Sequence, residues 1–292
     1  MESARAQAKY GHVAKRIPCL ATANPDWFAV WIEAEAGFSL GVGNQECVFP
    51  LMSVIKPFVL LYLLEQVGAE AVFQWVGIDP SHESFNSLDQ LRQDKGRPRN
   101  PMINSGAITL AARLPGQNAS DCCQQFCRWL NQQAGCQLFL DQSALASVRS
   151  TGRERNYMLS QYLVASGAIL DAEHALNVYE HICCLAGQVQ DLARLGTLLA
   201  GTQAEIPPVR LPHRQIVNAL MLTCGLYEAS GRAAVTIGLP IKSGISGALV
   251  AVVPRQGAIA CYSPALDAAG NSIAGIAFLE SLSQSLQLSL FL

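Results

Sequence analysis

A hydroxyl and an amine stand three residues apart at Ser53-Val-Ile-Lys56, and a second lysine opens Lys242-Ser-Gly244 far downstream. On a helix that spacing stacks Ser53 and Lys56 on one face. A serine hydroxyl is a poor nucleophile until an adjacent base takes its proton. Lysine becomes such a base when burial lowers its pKa. The chemistry on offer is acyl transfer through a covalent intermediate.

The chain has 22 serines and five lysines, so Ser-x-x-Lys alone arises by chance in roughly one such chain in three. The two strings together arise in about one in a hundred. The plain alternative is a helix cap at Ser53 with Lys56 solvated in the first turn. Context argues for chemistry. Pro57-Phe-Val-Leu-Leu-Tyr-Leu-Leu64 is apolar nearly all round, which predicts a buried helix. In a continuous helix Pro57 would press its ring on the carbonyl of residue 53. Ser53 therefore belongs at the helix start, where free N–H groups and the dipole favour developing negative charge.

Around these strings the pattern predicts a hairpin, Trp27 to Glu33 and Phe38 to Val42, turning at Gly37. The Ser53 helix follows. From about Gly68 to Gly225 the pattern is helical, broken by Pro80, a polar loop from Ser81 to Asn100, Pro115-Gly116 and Pro207-Pro208. Helices are predicted at Gln161–Ile169, Ala175–Cys184 and Val189–Ala200. Strands are predicted at Ala233–Gly238, Gly247–Val253 and Gly257–Tyr262, and a final helix after Gly270-Asn-Ser272. The expected class is α+β: an antiparallel sheet from both termini, residues 1–67 and 226–292, with an all-helical domain inserted at 68–225. Ser53 then lies at the junction, facing Lys242 on a strand, where clefts form.

Composition narrows the function classes. Half of the 292 residues are hydrophobic, 14% are charged and the net charge is −2 with no basic block, which argues against a nucleic-acid partner. No apolar run reaches membrane-spanning length, and the last dozen residues read as a docking helix. Met1 to Lys9 lacks the apolar stretch of a signal peptide, so a cytoplasmic protein with reduced thiols is expected. Ten cysteines include no Cys-x-x-Cys pair. His174 and His181 can share a helix face beside Cys184, but no His-Glu-x-x-His or matching ligand set accompanies them, so no metal and no cofactor are expected.

Further strings carry a resemblance. They are Phe85-Asn-Ser87, Asn100-Pro-Met-Ile-Asn-Ser-Gly-Ala-Ile108, Arg155-Asn156, Tyr179 with Cys183, Thr223-Cys-Gly-Leu-Tyr-Glu-Ala-Ser-Gly231, Gly238-Leu-Pro-Ile-Lys-Ser-Gly-Ile-Ser-Gly247 and Ser263-Pro-Ala-Leu-Asp-Ala-Ala-Gly-Asn-Ser272. In this order, from about Gly11 to Leu282, the chain closely resembles the serine-dependent glutaminases, which hydrolyse L-glutamine to L-glutamate and ammonia on a β-lactamase-like fold. The resemblance implies a nucleophile at Ser53, its base at Lys56 and a proton-shuttling Tyr227. It implies a pocket of Asn104, Asn156, Tyr179, Tyr227 and the backbone at Ile245, with Lys242 as a cation near the substrate carboxylate. It also implies a small amino-acid amide as substrate, no membrane partner, and a homodimer or homotetramer. Backbone N–H groups at Ser53 and Ile245 would form an oxyanion hole.

Two departures concern the amino-acid end of the pocket. The family's carboxylate before the Arg-Asn pair falls at Val148 if anchored on Thr151-Gly152, or at Arg149 if anchored on Arg155-Asn156. Neither is acidic, and Glu154 is the nearest acid. Arg16 stands where many members carry tyrosine, and His82 replaces a common glycine. Two rivals follow: an amidohydrolase of altered preference, and a binding protein that has lost turnover. A penicillin-recognising enzyme, which Ser-x-x-Lys with Lys-Ser-Gly also resembles, is disfavoured because no Ser-Asp-Asn lies between the two strings.

Overall fold

The computed structural model describes residues 1–292 apart from 35–36, 82, 152 and 202–208. The expected positions His82, Gly152 and Pro207-Pro208 lie outside the described residues.

The main sheet is antiparallel. Its strands are β1 (Ala29–Ala34), β2 (Ser39–Gly43), β6 (Ile241–Ser243), β7 (Ala248–Val253) and β8 (Gly257–Tyr262), in the order β2-β1-β8-β7-β6. The hairpin turns at Gly37, whose φ of +77° suits glycine. A second, three-stranded antiparallel sheet joins β3 (Phe49–Pro50), β4 (Phe139–Leu140) and β5 (Leu185–Gly187) in the order β3-β5-β4. Both sheets are flanked by helices, with an extended helical region between β3 and β6, which is the expected α+β, β-lactamase-like class.

Strand alternation fixes which side chains meet the site. In β7, Leu249, Ala251 and Val253 enter a core that includes Phe28, Phe278 and Leu279, on the side of the Ile273–Leu286 helix. Ala248, Val250 and Val252 enter the larger core on the opposite face, with the Val189–Ala200 helix and the start of the Lys56–Trp75 helix. Paired residues of an antiparallel ladder share a face. Lys242 pairs with Val250, so it points into the larger core. The helix sits close to the sheet at Gly196, where an added Cβ would come 3.0 Å from Val250 Cγ2.

Ser53 lies in a 3-10 turn, Met52–Ile55, that runs into the Lys56–Trp75 helix. Pro57 occupies the first turn, where its missing N–H removes no internal bond. By length and composition the stretch Met52–Trp75 would span a membrane, contrary to the expectation that no run does; yet 72% of its apolar window is buried in the fold, as for a core helix.

Several elements differ from the sequence reading. Ala233–Gly238 is not a strand: Ser230–Thr236 is a helix ending before Gly238 at φ +72°. Val235 and Thr236 carry the β-branched signal, but Ala233 and Ile237 are buried one turn apart while Val235 is exposed. The helix predicted at Gln161–Ile169 spans Glu154–Ala165, because its polar first turn hides it from apolar periodicity. Ala172–Cys183 starts earlier than expected, capped by the Asp171 side chain on the Glu173 and His174 N–H groups. Val189–Ala200 is as predicted, and the final helix is capped by Ser272. That helix ends at Leu286, and Leu290, Phe291 and Leu292 beyond it are exposed, so the last dozen residues are only half helical. The small sheet through β4 and β5 was not legible, since its strands are two or three residues long.

Candidate active site

The Asn100–Gly106 loop is built on one buried amide. Asn100 Nδ2 donates to the Asp79 carbonyl at 2.8 Å, and its Oδ1 accepts from the Met102 and Ile103 N–H groups at 2.9 and 3.2 Å. At Gly106 a side chain would run into the Asn100 carbonyl. The loop thereby presents the Met102 carbonyl and the Asn104 side chain to Lys56.

Lys56 Nζ donates to Met102 O at 3.1 Å and to Asn104 Oδ1 at 2.7 Å. The same Oδ1 accepts from the Tyr179 hydroxyl at 3.2 Å, and Asn104 Nδ2 donates to Asn156 Oδ1 at 2.9 Å. This set fixes the orientation of the Asn104 amide. Lys56 is fully buried, and burial lowers its pKa to about 8 despite the opposing pull of the Cys183 thiol. A neutral amine has two N–H donors and one lone pair. Met102 and Asn104 take both donors, which leaves the lone pair to act as base.

Tyr227 completes the wall from the other side. Its φ is +57°, a left-handed conformation that a bulky residue adopts at a cost of about 1–3 kcal/mol, and such outliers gather at functional sites. Met52, next to Ser53, shares the feature at φ +50°. The Tyr227 hydroxyl is buried and meets no partner at bonding geometry. Burial pushes its pKa up to about 12, tempered by the adjacent Ser53 side chain. Burial likewise raises Tyr179, again with Ser53 pulling down, so Ser53 lies beside both phenols. Phe85 packs its ring 4.8 Å from that of Tyr227.

Lys242 Nζ sits 4.4 Å from the centroid of the Tyr227 ring and donates to the Ser243 carbonyl at 2.7 Å. It is fully buried, and burial first, then Lys56, press it well toward the neutral amine. Gly244 sets the close approach of this strand end to the Ser53 turn: a Cβ there would meet Leu51 O at 2.8 Å and Val54 N at 3.3 Å. The turn carrying Ile245 therefore lies against the turn carrying Ser53. Ser243 Oγ donates to Asn271 Oδ1 at 2.6 Å, tying the motif to the segment that leads into the last helix.

All the expected site residues, Ser53, Lys56, Asn104, Asn156, Tyr179, Tyr227, Lys242 and Ile245, thus belong to one connected region. The departing positions separate. Val148 is half-buried and packs against the cluster of Ala144, Leu145 and Cys184. Glu154 is exposed in the first turn of its helix. Arg149 Nε donates to Glu180 at 3.3 Å. Arg16 is exposed. Sequence reasoning missed Glu180 and Arg153, whose carboxylate and Nε meet at 2.7 Å. Only the acid immediately after Tyr179 hinted at it. All ten cysteines are free, and His181 Nδ1 meets the Asn177 carbonyl at 2.7 Å. Among the described residues no cluster of metal ligands forms.

Comparison with known proteins gives the family of the chain. The glutaminase family profile matches residues 11–291. A glutaminase of Synechocystis sp. is 43% identical over 286 residues, covering 97% of this chain and 86% of that relative. A solved structure described as the probable glutaminase ybaS has a TM-score of 0.91 at 32% identity, covering 99% of this chain and 97% of that one. A probable glutaminase from Bacillus subtilis complexed with 6-diazo-5-oxo-L-norleucine has a TM-score of 0.89 at 28% identity, covering 99% and 93%. With a match over nearly its whole length, in sequence and in fold, this chain belongs to the glutaminase family.

Proposed function

We propose that the protein hydrolyses L-glutamine to L-glutamate and ammonia through an acyl-enzyme on Ser53. Lys56 takes the Ser53 proton as oxygen attacks the side-chain amide carbon. The C–N bond breaks, and the leaving nitrogen takes a proton from Lys56 or by way of Tyr227. Water, deprotonated in turn, then attacks the ester carbonyl and frees Ser53. The developing oxyanion is met by the N–H groups of Ser53 and Ile245. Asn104, Asn156 and Tyr179 orient the amino-acid part, and Lys242, drawn back to its cationic form by a carboxylate, holds that end.

The observation that carries this reading is Lys56: fully buried, with a pKa near 8, and with both N–H donors of its neutral form already engaged. A general base works best when its pKa lies near the working pH. The reading extends to a sheet domain, 1–67 with 226–292, and a helical domain, 68–225, with the site between them. It extends also to a cytoplasmic homodimer or homotetramer, in keeping with ten free thiols.

A second reading is favoured by one observation: Glu180, the buried carboxylate next to Tyr179, is already engaged by Arg149 and Arg153. That carboxylate is then taken up by guanidinium groups rather than offered to an α-ammonium group, which suits an amide lacking one. Ammonia release from L-glutamine, against glutaramate and N-acetyl-L-glutamine, decides between the two. Ser53→Ala and Lys56→Ala must abolish release while far-UV circular dichroism stays unchanged. Wild-type release from either variant removes the acyl-enzyme.

A further inference from the structure

Among the described residues Glu180 is the only buried carboxylate, 3% exposed. Burying a carboxylate is costly unless it is paired and hydrogen-bonded, so its partners show what it holds. Glu180 accepts from Arg149 Nε at 3.3 Å and from Arg153 Nε at 2.7 Å. Asn177 Oδ1, one turn back on the same helix, accepts from both guanidinium groups at 3.3 Å. Arg153 also reaches Glu173 at 2.9 Å. Three segments converge here: the end of the Gln142–Ser150 helix, the residue that opens the Glu154–Ala165 helix, and the Ala172–Cys183 helix.

The position of Arg153 gives this cluster a consequence. Its side chain is fixed to Glu180, while its carbonyl accepts the first helical bond from Tyr157 N at 2.8 Å. Asn156 lies between, in the first turn of that helix. On the partner helix Glu180 directly follows Tyr179, whose hydroxyl bonds Asn104. The clamp thus joins the helix that carries Asn156 to the helix that carries Tyr179. Both side chains meet at Asn104.

We propose that Glu180, acting through Arg153, is a positioning residue that sets Asn156 against Asn104 and so tunes substrate binding rather than the acyl-transfer step. This rests on the glutaminase reading for its kinetic form. The base has one anchor outside the clamped helices, the Met102 carbonyl at 3.1 Å, and shares only Asn104 with them, so loosening Asn156 is expected to act on substrate orientation first.

The test is a double-mutant cycle on the full chain. Glu180→Gln and Arg153→Gln should each raise KM for L-glutamine about tenfold and leave kcat within about threefold. In the Asn156→Ala background neither should raise KM further, and Arg153→Lys should recover part of the loss. Should Glu180→Gln fail to fold, Arg153→Gln carries the test, because it leaves Glu180 paired with Arg149. Additive effects on KM, or a fall in kcat at constant KM, would overturn the proposal. If the wild-type protein releases no ammonia from glutamine, the functional reading fails by itself. A crystal structure of Arg153→Gln then decides the clamp: an Asn104–Asn156 bond retained near 2.9 Å overturns it, and a lost bond supports it.

Discussion

Asn104 holds Lys56 through a 2.7 Å bond from Nζ to Oδ1, and among the described residues this amide is the one side-chain acceptor on the amine. The acceptor is neutral, which lets burial keep the Lys56 pKa near 8, below its ordinary 10.5. The neutral base accumulates as pH rises, so kcat/KM for glutamine should climb on the acid side with a limb near 8. Asn104→Asp sets a carboxylate beside Nζ, favours the ammonium form and should move that limb upward by roughly one unit or more. A pH–rate profile measures the shift, and a limb that stays in place would detach Lys56 from it.

Gly244→Ala should slow turnover more than binding. The added methyl meets the Leu51 carbonyl at 2.8 Å and Val54 Cγ2 at 3.0 Å, so the two turns must separate. Overpacking of this kind costs about 1–3 kcal/mol, and the separation also pulls the Ile245 N–H away from the Ser53 turn. A fall in kcat of about ten- to a hundredfold is expected, with KM within a few fold. Steady-state kinetics and a thermal melt separate this from general unfolding.

The amino-acid end of the pocket makes a graded prediction. Glu154→Ala should change kcat/KM by less than about twofold, because Glu154 is exposed. Val148→Glu should lower the melting temperature, since it sets a charge among Ala144, Leu145 and Cys184. Arg149→Glu should do the same by facing Glu180 with a like charge, and Arg149→Gln less so. A stable Val148→Glu protein with faster glutamine turnover would show that position 148 turns into the pocket.

The thiols should behave as packed apolar groups. Burial raises Cys123, Cys136 and Cys183 to about 12, 12 and 11. At pH 8 these three thiolates are scarce, so alkylation should be slow in the folded protein and complete only in denaturant. Ten reactive thiols should then titrate without reductant. Fewer than ten would reveal oxidation, and reductant should leave activity unchanged.

Much of the site was legible because its parts are short strings with fixed local geometry. Ser53 and Lys56 are one turn apart, and Asn100 to Gly106 form one self-bonded loop. The neighbours of Lys242 were legible in part, since alternation along β7 sets the face that Val250 and its partner share. Glu180 was not legible. Its partners lie 27 and 31 positions away on other helices, and no pattern of residue types announces a salt bridge of that span. The strand predicted at Ala233–Gly238 failed because β-branched residues on a short helix imitate a strand until one knows which of them is buried. The onset of the Glu154–Ala165 helix was hidden because polar residues in its first turn leave no period to read.

Strand β1 lies between β2 and β8, with Ala29 opposite Tyr262. The sheet is therefore stitched from opposite ends of the sequence, and the candidate site residues come from both sides of the seam. During synthesis Ser53 and Lys56 emerge long before Lys242, and β1 waits for β8 with only its hairpin partner. Long-range pairings of this kind form slowly, and unpaired strand edges are exposed to aggregation meanwhile. Competence to hydrolyse an amide arrives only when the seam closes, so a nascent chain holds the Ser53 turn without a finished enzyme around it.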